Sequence, residues 1–184
     1  LDFIKLKWSG QNKSYDFIIL DNERNLIEYN AIERKYKTII IETRGDIIDF
    51  CILENLGCIL DNTGQFTAFH LINKHIVFKE EFGQTAKQIH DYPPGKNILI
   101  VHENFLQIFS LDLRTNLRHF KGSKVPIRAT SFSTHGRYIA QTNIDGNACI
   151  WNAFTSQRIS TLPFDTAITT MQFSPNSGYL AIGD

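Results

Sequence analysis

The chain has 184 residues, 42% hydrophobic and 21% charged, a composition that supports a buried core and excludes a disordered polymer. Lys+Arg 19 against Asp+Glu 19 leaves zero net charge, which removes any global attraction to nucleic acid or anionic lipid. Apolar runs such as 17–20 and 39–41 are far too short to cross a bilayer, so no membrane contact is expected.

Taken in chain order, short strand-like runs alternate with polar turns. Strands are expected at 17–20, 25–29 and 37–41, then at 58–60, 65–69 and 75–79, then at 98–101, 105–109 and 116–120. The last full set is the clearest, with strands at 129–132, 138–142, 148–151 and 158–162. Its first turn ends on Gly136, and Asp145-Gly146 forms a tight hairpin, where glycine tolerates a positive φ. The matching hairpin positions upstream hold Glu23-Arg24, Thr63-Gly64 and Glu103-Asn104, so Gly64, Asn104 and Gly146 suit a left-handed turn.

Two interleaved ladders share one period. Tyr29, Phe69, Phe109 and Trp151 close the third strands at steps of 40, 40 and 42 residues. Trp8, Phe50, Asp91, Phe132 and Phe173 mark the first strands at steps of 42, 41, 41 and 41. A unit of about 41 residues with four short strands is the signature of a β-propeller blade. The expected fold is therefore all-β, a β-propeller of four-stranded antiparallel blades with about four and a half blades in this chain. Blades are expected at 1–43, 44–84, 85–124 and 125–165, with part of a fifth at 166–184. Because open blades expose strand edges, the remainder of a longer propeller or a partner chain is expected to close the ring.

Residues 121–184 resemble the WD-repeat family. Phe132-Ser133 and Phe173-Ser174-Pro175-Asn176-Ser177-Gly178 are similar to the family's Phe-Ser-Pro-Asp-Gly turn. Asp145-Gly146 through Trp151-Asn152 is similar to its Asp-Gly…Trp-Asp ending, and Gly122-Ser123 stands where the family has Gly-His. The His position holds Ser123 and then Phe164, and only Trp151 among the third-strand aromatics is Trp, so the family's buried His–Ser/Thr–Asp–Trp network is expected to be absent or partial. The resemblance implies a scaffold that holds other proteins of a larger complex, and it implies no catalytic residues.

The remaining chemistry is sparse. Cys51, Cys58 and Cys149 lie in apolar runs with no metal spacing, which suits buried reduced thiols in an intracellular protein, cytoplasmic or nuclear. Asn12-Lys13-Ser14 is a glycosylation triplet of the kind that arises by chance. His70, His75, His90, His102, His119 and His135 are scattered over different strands and turns. No phosphate loop or nucleophile elbow is present, so no catalytic residue, metal ligand or cofactor is assigned.

Two surfaces stand out. Asp46, Lys87, Arg128 and Thr169 each lie four residues before a first-strand anchor and are expected on the channel rim. Asp46, Lys87 and Arg128, with Lys121 and Lys124 in the neighbouring loop, are the candidate partner-binding residues. From 113 to 144 there are six basic residues and no acid, and Arg114, Arg118 and Arg137 from this run are candidates for RNA phosphates. Pro93-Pro94-Gly95 reads as a rigid turn, and Phe154 and Phe164 as loop aromatics used in packing between blades. The functional expectation is a non-enzymatic interaction scaffold. The alternative is an RNA-associated propeller of a ribosome-biogenesis particle.

Overall fold

The computed structural model describes residues 3–8, 16–93, 95–122 and 124–183. Asn12-Lys13-Ser14, Pro94, Ser123 and Asp184 lie outside them. The described chain is all-β, built as a β-propeller of four-stranded antiparallel blades, about four and a half of which are present. The first sheet holds β1 (Phe3–Trp8), β2 (Asp16–Asp21), β3 (Leu26–Asn30) and β4 (Lys35–Ile39) in chain order. The second holds β5 (Ile47–Leu53), β6 (Leu56–Asp61), β7 (Gln65–His70) and β8 (Ile76–Glu81). The third holds β9 (Ala86–Tyr92), β10 (Asn97–His102), β11 (Leu106–Ser110) and β12 (Thr115–Phe120). The fourth holds β13 (Ile127–Phe132), β14 (Tyr138–Asn143), β15 (Asn147–Asn152) and β16 (Arg158–Pro163), and β17 (Thr170–Phe173) pairs with β18 (Leu180–Gly183). Contacts divide the chain into two units, Leu1–His90 and Asp91–Asp184.

Burial explains the strand composition. The middle strands β6, β7 and β11 are buried at nearly every position, and β7 and β11 bury Gln65, Thr67, Gln107 and Ser110 among their apolar residues. The outer strand β8 alternates between half-buried and exposed, and its Lys79, Glu80 and Glu81 discourage pairing along that edge. In the first unit, Ile18, Leu20, Leu26, Phe50, Ile59 and Phe69 share one core. In the second unit, Tyr92, Leu99, Leu106, Phe120, Ile139 and Trp151 share another, with the Trp151 ring edge-on to Phe120 at 5.9 Å. Each such side chain contributes about 1.5–3 kcal/mol by leaving water.

The fourth strand of the first sheet is Lys35–Ile39, two residues earlier than 37–41. Ile39 enters the core and Ile41 packs against it from beyond the strand, while Ile40 is 86% exposed, so the apolar run overstated the strand's C-terminal end. Arg24 takes φ 69° at its hairpin beside Gly64 at 88° and Gly146 at 81°, whereas Asn104 is not among the residues with positive φ. The β10–β11 turn is closed instead by the His102 N–H donating to the Phe105 carbonyl at 2.9 Å.

Register differs between the sheets as well. Trp8 pairs with Phe17, which pairs with Tyr29. Phe132 pairs with Ile139, which pairs with Trp151. In the second sheet Phe69 pairs with Gly57, and Gly57 pairs with Ile52 rather than Phe50. The turn between Leu53 and Leu56 is shorter than its counterparts, so the structural anchor slides two residues along β5. A β-bulge then recurs four residues before each anchor, at Ile4, Ile48 and Arg128. Ile48 therefore occupies the place in the second sheet that the sequence ladder gave to Asp46.

Candidate interaction site

A repeated polar device closes the second strands. Asp21, Asp61, His102 and Asn143 end β2, β6, β10 and β14 at the same register, and all are buried. The Asp61 carboxylate accepts the N–H groups of Arg44, Gly45, Thr63 and Gln65 at 2.9–3.1 Å and the Thr63 hydroxyl at 2.6 Å. Burial opposes its ionisation, but the Thr63 hydroxyl and the Gln65, Gly45 and Thr63 N–H groups outweigh this and hold the carboxyl below the ordinary range. In the third sheet the His102 ring stacks on Phe105 at 3.9 Å, and Phe105 stacks on His119 at 4.7 Å. Burial lowers the His102 pKa to about 4; a Gln107 hydrogen bond at 3.1 Å opposes the shift and His119 adds to it.

In the fourth sheet the Trp151 indole donates to Gln141 at 3.2 Å, and Gln141 donates to Asn143 at 3.1 Å. A partial buried network thus exists, routed through an amide rather than through Ser or Thr. Two turns are built alike: the Ser133 hydroxyl accepts the Tyr138 N–H at 2.9 Å, and the Ser174 hydroxyl accepts the Tyr179 N–H at 3.0 Å.

Within the first unit one ion pair links three strands. Lys5 on β1 pairs with Asp49 on β5, and Asp49 also accepts the N–H groups of Phe50 at 2.9 Å and Ile89 of β9 at 2.8 Å. Burial lowers the neighbouring His90 to about 3, with the Lys5 and Lys7 cations adding to the effect. Asp46 and Lys87 are exposed in the same unit. Asp46 lines a cleft of about 250 Å³ with Glu23 and Arg24, and the Lys87 amine turns back to the Gln84 carbonyl at 3.1 Å.

In the second unit the basic run divides. Successive strands reverse direction, so successive turns fall at opposite ends of the sheets. Lys121, Lys124 and Arg128 are exposed at the end that carries the β10–β11 hairpin, where the Ile127 N–H donates to the Glu103 carbonyl at 2.7 Å. Arg114 and Arg137 are exposed at the other end, at the β11–β12 and β13–β14 turns, and Arg118, exposed within β12, reaches toward that end through its side chain. Arg114 sits at a left-handed turn position with φ 49°.

Arg118 and Arg137 flank a cleft of about 350 Å³. It is lined by His135, Arg137, Tyr138 and Phe154 together with Asn176, Ser177 and Ser133. The Arg118 Nε donates to the Phe154 carbonyl at 2.8 Å and its Nη1 to the Leu117 carbonyl at 2.7 Å. The Phe154 ring is left 51% exposed and Phe164 38% exposed. The Tyr92 hydroxyl donates to the Gly136 carbonyl, beside Arg137, and burial raises its pKa to about 12 against the opposing Arg118 charge. Sequence reasoning named Arg118, Arg137 and Phe154 separately and missed His135, Asn176 and Ser177 as their companions. The signal was the offset of 41 that makes the turns at 133–137 and 174–178 equivalent neighbours.

No protein-family model matches the chain, and no curated protein matches it. Among the described residues no helix is long and apolar enough to cross a membrane.

Proposed function

We propose that this chain is part of a divergent WD-repeat scaffold, a non-enzymatic subunit that holds protein partners in an intracellular assembly, cytoplasmic or nuclear. The observation that carries the reading is the cleft at the turn end of the second unit. There, cationic and aromatic side chains from separate turns are presented on a hydrogen-bonded support, an arrangement suited to holding a partner. The Trp151–Gln141–Asn143 chain and the paired serine-capped turns support the WD-repeat assignment. The three buried free cysteines support a reducing compartment. For the RNA-associated alternative, the six basic residues speak in favour. Their division between opposite sheet ends removes a continuous phosphate track.

The test is purification of the protein with its native flanks at low salt, with and without ribonuclease, followed by mass spectrometry. A stable set of protein partners that survives ribonuclease is the expected result. Partners lost on ribonuclease treatment, or no partners at all, would overturn the scaffold reading.

A further inference from the structure

We infer that the cleft between the β13–β14, β15–β16 and β17–β18 turns is a docking site for a short acidic peptide segment, one carboxylate pairing with Arg137 and an adjacent apolar side chain lying on Phe154. The inference rests on the scaffold reading and names the partner chemistry of that site. Four observations carry it.

The cleft is pre-organised. The Thr134 N–H donates to the Ser177 hydroxyl at 3.0 Å and the Phe173 N–H to the Ser131 hydroxyl at 3.1 Å, which tie the fourth sheet to β17–β18. Little entropy is then lost in the walls when a ligand enters. The charge is uncompensated: none of the lining residues is Asp or Glu, and the Arg137 guanidinium makes no ion pair or hydrogen bond among the described residues. A guanidinium in that state offers a planar fork that matches a carboxylate.

The apolar element is held in place rather than collapsed. Arg118 clamps the Phe154 carbonyl and the Asn152 side chain accepts the Phe154 N–H at 2.9 Å, so the backbone that carries the exposed ring is held at the mouth. An exposed aromatic on a held backbone beside an unpaired cation is the make-up of an interface anchor. Size and layout favour peptide over nucleic acid. About 350 Å³ admits one or two side chains. A single-stranded RNA site spans roughly 4 or more nucleotides along a basic groove. Here Lys121, Lys124 and Arg128 lie at the other sheet end.

The test pans a phage-displayed library of random octapeptides on the full chain, with the Arg137→Glu chain as counter-selection. Selected peptides are then measured by fluorescence anisotropy beside a single-stranded oligouridine. The expected outcome is enrichment of Asp and Glu next to Phe, Leu or Ile. Affinity should fall at least about tenfold in Arg137→Glu and in Phe154→Ser, with Lys121→Glu/Lys124→Glu unchanged. Circular dichroism of the variants checks that the blades stay folded. Selected peptides without acidic enrichment, equal binding to Arg137→Glu, or tighter capture of oligouridine lost in the same variant would each overturn the inference. Native protein partners that still co-purify with Arg137→Glu would sink this site while leaving the scaffold reading intact, whereas absence of partners from the unaltered protein would sink the scaffold reading itself.

Discussion

Replacing Asp49 by Ala should be among the most damaging single changes in the first unit. The carboxylate is 5% exposed and does three things at once: it neutralises Lys5 and accepts two main-chain N–H groups. Phe50 and Ile89 are 2% and 0% exposed, so water cannot replace the lost acceptor at either amide. An orphaned buried N–H costs about 1–3 kcal/mol. A buried cation stripped of its partner brings the total to about 3–5 kcal/mol, moderated because the Lys5 side chain keeps 21% exposure. Urea unfolding of the full chain measures the loss, and hydrogen exchange at the Ile89 amide locates it. Combining Asp49→Ala with Lys5→Met should cost less than the sum of the two, by at least about 1 kcal/mol, because the stranded cation is then gone. A single-variant loss below about 1 kcal/mol, additive costs, or an Ile89 amide as protected as before would refute the reasoning.

Other consequences follow from the same geometry. A methyl group on Gly57 would meet the Phe69 ring at 2.3 Å, so Gly57→Ala should lower stability by about 1–3 kcal/mol, with partial rescue by Phe69→Leu in the same urea assay. His102 takes up a proton near 6.5 when unfolded but resists until about 4 when folded, so its contribution is complete above pH 6.5 and lost as pH falls toward 4. That loss amounts to at most about 3 kcal/mol, and a His102→Gln chain should show a flatter urea midpoint between pH 7 and 4, with the residual slope left to His90. Cys51, Cys58 and Cys149 are buried, so all three should react with a thiol reagent only under unfolding conditions; fast labelling of any of them in native buffer would contradict the packing.

Much of the fold was legible because its cause is local. Tyr29, Phe69, Phe109 and Trp151 recur because each blade repeats one hairpin unit, and the Asp145-Gly146 turn announces itself through the conformational freedom of glycine. The strands of the fourth sheet match the residues expected almost end for end. Where the reading slipped, a neighbour made the decision. Arg24 is driven to φ 69° by a hairpin whose Asp21 side chain accepts the Asn25 N–H at 2.8 Å, and no residue type at position 24 signals that. Trp151 found Gln141 as its partner because β14 and β15 are adjacent, ten residues apart in the chain.

The sequence by itself determined the period, the all-β class and the order of strands and turns, since these follow from patterns within about 41 residues. The tertiary structure alone decided which of those features meet. It placed Ile52 rather than Phe50 opposite Gly57, because a shortened turn shifts pairing while leaving the count of residues nearly unchanged. It also parted one run of basic residues between two sheet ends and set Arg137 beside Phe154. Each antiparallel reversal carries the chain to the opposite end, and only the packing of one sheet against the next brings distant turns together.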